Sequence, residues 1–314
     1  MKTDHKKIVI AGGSGFLGRT LALWFAERDY EVVILSRRTA DIASARTVVW
    51  DARTLGPWGE ELEGATALIN MAGRSVNCRY TPKNRKAMMD SRVDSTRVLG
   101  QAVAACKQPP PVWLNSSTAT IYKHTLGDPH DEHGETGATP EAKDEYSIDV
   151  ARGWERAFNE AEVPKTRKVT LRTAMVFGPE PGGVFEVLNG LAQKGLGGKM
   201  GHGGQYVSWM HADDFCRAME WLIERPEAEG IYNFAAPNPL TNEAMMTLFR
   251  RMNRKGFGLP APAWLLEVGA VFLRTETELI IKSRRVVPRR LLDEGFTFTY
   301  EDMEAALASF FQNR

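Results

Sequence analysis

Cysteine is scarce in this chain of 314 residues: only Cys78, Cys106 and Cys216 are present. They are odd in number, far apart and without metal-ligand spacing, so neither a disulfide framework nor a metal site is expected, and a reducing cytoplasm is. An excess of one charge is also missing. Lysine and arginine number 40 against 39 aspartates and glutamates, a net charge of +1, whereas a nucleic-acid-binding surface usually leaves a marked basic surplus. Long apolar runs are absent as well. The longest, Ala261 to Leu273, is interrupted by Glu267 and falls short of the about 20 residues that cross a bilayer. The opening residues lead straight into a strand-like segment at Lys7 and leave no room for a secretory leader. Neither a nucleic-acid nor a membrane partner is expected, and nothing in the sequence fixes an oligomeric state.

What remains is ordinary globular composition, 43% hydrophobic and 25% charged, with enough chain for one large domain carrying a smaller one. Short apolar runs at Lys7–Ala11, Glu31–Leu35, Thr47–Trp50, Ala67–Asn70, Val112–Asn115 and Val169–Arg172 read as strands covered on both faces. Between them apolar residues recur at helical spacing: Leu17, Leu21, Trp24 and Phe25; Leu99, Ala102, Val103 and Cys106; Val150, Trp154, Ala157, Phe158 and Ala161. Strands alternating with such helices predict an α/β fold with a doubly wound parallel sheet of the Rossmann type. After Pro179 glycine becomes dense and the rhythm changes. Residues 1–178 with 211–236 read as the nucleotide-binding domain, and 179–210 with 237–314 as a smaller substrate-side lobe.

The segment Gly12, Gly13, Ser14, Gly15, Phe16, Leu17, Gly18 lies between the first strand and the first helix. Glycines at 12, 15 and 18 permit a tight turn and a close approach of backbone to a diphosphate, which the N–H groups of the following helix would receive. In a strand–turn–helix context the motif points to a dinucleotide. The second strand ends in Ser36, Arg37 and Arg38. An acid there would suit the ribose hydroxyls of NAD; arginine suits a 2′-phosphate, so NADP(H) is the expected cofactor.

With these residues assembled, the chain resembles the extended and atypical short-chain dehydrogenase/reductase superfamily. More narrowly it resembles NAD(P)-binding epimerase family proteins with a C-terminal domain of unknown function, some labelled cell-division-inhibitor-like. The carriers are Gly12–Gly18, Ser36–Arg37, Ile69–Gly73, Ser91–Val93, Leu171–Pro179, Trp209–Asp214, Arg285–Arg290 and Gly295–Phe296. The resemblance implies cofactor contacts from Met71, Ala72, Gly73, Arg92 and Val176. It also implies a serine or threonine, a tyrosine, and a lysine four residues after the tyrosine. Tyr146 is the best-placed tyrosine, but Val150 stands where the lysine belongs. The strand end Asn115–Tyr122 offers Ser117 or Thr118 to polarise a substrate oxygen, and Tyr122 or Tyr146 as proton donor. The expected activity is NADP(H)-dependent oxidoreduction, or epimerase-like chemistry, on a small polar and sugar-like substrate. The alternative is a non-catalytic NADP(H) sensor or protein-interaction module.

Other features read more plainly. His124, His130 and His133 sit in a charged loop without a recognised ligand spacing, so no metal is expected. Asp213 is expected to cap a helix while His211 packs. The glycine-rich stretch from Gly195 to Gly204 is a candidate substrate loop, and the basic stretch Lys282, Arg284, Arg285, Arg289 and Arg290 reads as a solvated face.

Overall fold

The computed structural model describes residues 6–181, 183–266 and 276–312. In chain order the strands are β1 (Lys7–Ala11), β2 (Glu31–Ser36), β3 (Arg46–Val49), β4 (Ala67–Asn70), β5 (Val112–Thr118), β6 (Arg167–Thr173), β7 (Met175–Phe177), β8 (Tyr206–Val207), β9 (Trp209–His211), β10 (Gly230–Phe234) and β11 (Leu240–Thr241). The helices that matter below are α1 (Phe16–Ala26), α2 (Pro82–Ala105), α3 (Glu145–Asn159), α4 (Val184–Gln193), α5 (Ala212–Ile223) and α6 (Asn242–Met252), followed by a C-terminal helix, Met303–Gln312.

β1 shows why the sheet is wound on both faces. Its residues are buried from Ile8 onward, with Ile8 and Ile10 in one core and Val9 and Ala11 in another, because successive side chains of a strand leave opposite faces. The first core gathers Leu21 and Phe25 of α1 and Phe215 and Met219 of α5; the second gathers Val98 and Leu99 of α2 and Phe158 of α3. The resulting seven-stranded sheet runs β3-β2-β1-β4-β5-β6-β10, with every pairing parallel. The order in which strands are added reverses between β1 and β4, and the crevice at that switch point is where ligands bind in such sheets. β3 departs from the expectation of strands covered on both faces. As the edge strand it leaves Val49 exposed.

Beyond Phe177 a third core forms from Phe177, Phe185 of α4, Met245 and Phe249 of α6, and Leu307 and Phe310 of the C-terminal helix. The chain does not stay in that lobe, for Leu291, Phe296 and Phe298 pack into the first core beside α5 and β10. The buried Asp214 carboxylate clamps this return by accepting from the Thr299 and Tyr300 amides at 2.9 and 2.8 Å. Among the described residues no helix is long and apolar enough to cross a membrane. The apolar run from Ala261 continues from 267 into positions outside the described residues.

Candidate functional site

The glycine turn is held by sterics that only glycine satisfies. Gly12 adopts φ +76°, and a Cβ there would lie 2.5 Å from the Ala72 Cα. Its N–H donates to the Leu35 carbonyl at 2.8 Å, tying the turn to β2. At Gly18 a Cβ would fall 2.3 Å from the Gly13 backbone, so helix and turn touch through bare main chain. Gly15 is different: a Cβ there meets nothing within 4 Å, and no side chain caps the α1 N–H groups that follow it. A helix N-terminus with free amides beside open space is the geometry that receives a diphosphate. Ser14 and Gly15 are exposed, Phe16 and Leu17 half-buried. Phe16 also reaches the far side of the crevice, where the absence of a side chain at Gly178, just after Val176 and Phe177, makes room for its ring.

At the end of β2 the Ser36 side chain is buried while Arg37 and Arg38 project into solvent. Among the described residues neither guanidinium has an acidic partner. Arg37 borders a hollow of about 520 Å³ walled by Trp50, Asp51, Thr54 and Trp58. A larger hollow of about 1490 Å³ opens beside Val112, Arg167 and Gly230, the starts of β5, β6 and β10. It lies at the wrong end of the sheet, because ligands of open parallel sheets bind beyond the carboxyl ends of the strands.

The end of β4 is shaped by a residue that apolar patterning passes over. Asn70, fully buried, accepts from the Ala72 N–H at 3.0 Å and donates to Asn115 Oδ1 at 2.7 Å and Thr96 Oγ1 at 3.0 Å. This turns Met71, Ala72 and Gly73 across the mouth of β1. Arg92, on α2, then lies against Gly73, its Cζ 3.1 Å from where a Cβ would be. Its Nη1 donates to the carbonyls of Arg74 and Met88, and its guanidinium stands 5.0 Å over the Trp154 ring. No carboxylate compensates this charge among the described residues, and burial pulls its pKa down. Val176 is half-buried on β7, paired with Met210 of β9.

The four candidate hydroxyls are not brought together. Ser117 and Thr118 are strand neighbours and point to opposite faces. The Ser117 hydroxyl donates to Glu155 Oε1 at 2.6 Å, and Glu155 forms a two-pronged pair with Arg172 at 2.9 and 3.0 Å. Arg172 in turn donates to the Tyr122 hydroxyl at 3.0 Å, and Tyr122 donates to Asn233 at 2.8 Å. Ser117 and Tyr122 therefore belong to a buried network bridging β5, α3, β6 and β10, in which burial pushes the Tyr122 phenol above its usual range. Thr118 is half-buried, and its oxygen accepts from the Thr120 N–H at 3.1 Å, which leaves its proton to donate. The Tyr146 hydroxyl donates to the Arg85 carbonyl on α2 at 2.6 Å. Burial pushes this phenol up to about 12 although Arg92 and Arg85 draw it down. Val150, one turn along, is buried.

Two plainer expectations are corrected. His211 itself caps α5, its Nδ1 accepting from the Asp213 N–H at 3.0 Å, while its ring is stacked between Tyr300 and Phe310. The basic stretch is not a solvated face throughout. The Lys282 side chain exposes no surface, and its ammonium donates to the Asp144 carboxylate and to the Thr120 carbonyl. Charge alone could not reveal this, because its partners lie 138 and 162 positions away.

Sequence comparison agrees with this geometry. The pattern of the NAD dependent epimerase/dehydratase family matches residues 8–235. The chain belongs to that family. A second pattern, a domain of unknown function (DUF1731), matches residues 261–310. Among epimerase family proteins, YfhF of Bacillus subtilis is 29% identical over 310 residues, covering 98% of each chain. Human SDR39U1 is 27% identical over 307 residues, covering 96% of this chain and 98% of its own. The crystal structure of human SDR39U1 (isoform 2) with NADPH gives a TM-score of 0.85 at 25% identity, over 98% of this chain and 100% of that one. MoeE5 in complex with UDP-glucuronic acid and NAD gives 0.75 at 16% identity over 98% of both chains, a likeness of fold alone. The epimerase/dehydratase pattern takes in the sheet from Ile8 of β1 through β10, and the glycine turn lies near its start.

Proposed function

We propose that this protein binds NADP(H) across the carboxyl ends of β1, β2 and β4 and transfers hydride to or from a small polar, sugar-like substrate, in the manner of an oxidoreductase or epimerase. The observation that carries the reading is the glycine crevice: uncapped α1 amides beside the open face of Gly15, with two guanidinium groups at the end of β2 that have no acidic partner among the described residues. Gly12, Gly13, Ser14, Gly15, Phe16 and Leu17 receive the diphosphate. Ser36, Arg37 and Arg38 take the 2′-phosphate, with the hollow beside Arg37 receiving the adenosine end. Met71, Ala72 and Gly73 line the ribose side, and Val176 closes the nicotinamide end. The uncompensated charge of Arg92 fits a position beside an anionic ligand. The crystal structure of human SDR39U1 with NADPH supports the choice of cofactor.

Bound NADP(H) supplies hydride chemistry; the rest falls to this chain's side chains. Thr118 rather than Ser117 is the hydroxyl that donates to the substrate oxygen, since the Ser117 proton is engaged by Glu155. A donor preorganised in this way stabilises charge developing on that oxygen. Tyr146 is protonated at neutral pH and acts, if released from the Arg85 carbonyl, as a donor rather than a base. From the smaller lobe expected at 179–210 and 237–314, described residues of the third core, such as Phe185, Met245 and Phe249, back the substrate-side wall. The test is NADPH affinity by titration, followed by NADPH oxidation across a panel of carbonyl compounds and nucleotide sugars. Absence of NADPH binding at millimolar concentration rejects the whole reading.

One observation favours a second reading, a non-catalytic NADP(H) sensor. Val150 puts a buried valine one turn beyond a phenol whose proton is already engaged. Tight NADPH binding with no turnover across the panel would select it.

A further inference from the structure

The C-terminal segment does more than cover the sheet. Between 276 and 287 it is stitched to several segments near the Thr118 end of β5. Glu276 accepts from the Tyr80 N–H at 2.7 Å and pairs with Arg79 at 3.2 Å, holding the loop between β4 and α2. Glu278 accepts from the Ser147 hydroxyl in the first turn of α3. Ser283 donates to the Thr125 carbonyl at 2.5 Å and accepts from the Tyr206 N–H at 2.8 Å. Arg284 Nε donates to Thr120 Oγ1 at 3.1 Å.

At the centre is Lys282. Its ammonium donates to the Thr120 carbonyl at 2.6 Å and to Asp144, the residue that precedes α3. The same Thr120 donates its N–H to the Thr118 oxygen. Asp144 is fixed from its other oxygen by the Thr139 N–H at 3.0 Å. One buried cation thus joins the turn that orients Thr118 to the start of the helix that carries Tyr146. Facing it are Asp144 and Glu278, with Arg284 alongside. A buried ion pair of this kind adds little stability over an apolar pair of equal volume.

We propose that the 276–287 segment is a working wall of the reaction site, and that Lys282 is its positioning residue, holding the β5 end against α3 so that the Thr118 hydroxyl is aimed into the crevice. This rests on Thr118 being the reacting hydroxyl. It gives the C-terminal domain a role in the chemistry of the Rossmann half.

The test compares the full-length protein with Lys282→Met and with Lys282→Met/Asp144→Asn. The double variant removes one buried charge of each sign, and the amide oxygen introduced at position 144 keeps the bond from the Thr139 N–H. NADPH affinity, thermal midpoint, and kcat and KM for NADPH-dependent reduction of 9,10-phenanthrenequinone are measured on each. A misaimed reacting group costs about ten- to a hundredfold. The expected result is a loss of kcat of that size in both variants, with KM and NADPH affinity little changed and the midpoint of the double variant near wild type. Wild-type kcat in the double variant overturns the proposal, as does a loss of NADPH affinity that matches the loss of kcat. If the unaltered protein binds NADPH but does not reduce the quinone, the proposed activity fails on its own. Lys282 is then judged by amide exchange across 118–122: selective acceleration in the double variant supports its positioning role, and unchanged exchange overturns it.

Discussion

The same substitution, glycine to alanine, has opposite consequences at two positions three residues apart in the turn. In Gly12→Ala the new residue is held at φ +76°, which costs about 1–2 kcal/mol. Its Cβ also meets main-chain atoms of Ala72 at 2.5 and 2.7 Å and of Met71 at 2.9 Å, and backbone cannot swing aside as a side-chain tip can. Overpacking of that kind adds about 1–3 kcal/mol. The sum, about 2–5 kcal/mol, lowers the thermal midpoint by about 4–20 °C at the usual 2–4 °C per kcal/mol. Gly15 has extended backbone at φ −83° and open space where a Cβ would go. In Gly15→Ala the poorer helix cap is offset by a less flexible unfolded chain, leaving stability within about 0.5 kcal/mol of wild type. That methyl nevertheless stands where the diphosphate must approach. Loss of one charge-assisted contact, about 1.5–3 kcal/mol, weakens NADPH about 10- to 150-fold. Differential scanning fluorimetry reads the first effect, and the rise of nicotinamide fluorescence on titration reads the second. A Gly15→Ala protein that binds NADPH as tightly as wild type refutes the placement of the ligand.

Three further outcomes are expected. The Arg37→Ala/Arg38→Ala protein loses NADPH affinity about 10- to 100-fold while NADH affinity hardly moves, by calorimetry; an equal loss for both cofactors removes the 2′-phosphate assignment. Thr118→Val lowers turnover about a hundredfold and, by removing the acceptor of the Thr120 N–H, costs about 1 kcal/mol of stability, whereas Ser117→Ala, which strips a hydrogen bond from buried Glu155, costs about 1–3 kcal/mol of stability and keeps turnover; turnover lost in Ser117→Ala and kept in Thr118→Val rejects the assignment. Burial holds the pKa values of His124, His130 and His211 below the ordinary 6.5, so the unfolded chain binds more protons than the native one as pH falls through that value. The stability these three contribute is then full above pH 6.5 and is lost as pH falls through the lower native values, and NMR titration placing all three imidazoles at or above 6.5 contradicts this.

How much was legible in the sequence depended on the range of the interaction. The parallel strands declared themselves because burial on both faces leaves a continuous apolar run, and the glycine turn because its spacing meets a local steric demand. α2 was legible only in its second half. Its first turns carry polar residues between Pro82 and Arg92, and it is started by Thr81, whose hydroxyl accepts from the Asn84 N–H at 3.3 Å. The choice between Ser117 and Thr118 could not be made from residue type. It turned on which face of β5 meets Glu155, a partner 38 residues away.

The sequence by itself determined the winding of the sheet, the glycine turn and the arginines beside it, since each follows from repeats or contacts within a few residues. Only the tertiary structure decided which hydroxyl is left free at the end of β5. It alone showed that a lysine from the C-terminal segment lies buried between Thr120 and Asp144. Burial and charge pairing between distant segments leave no periodic trace in a chain. They exist only once the two lobes have packed.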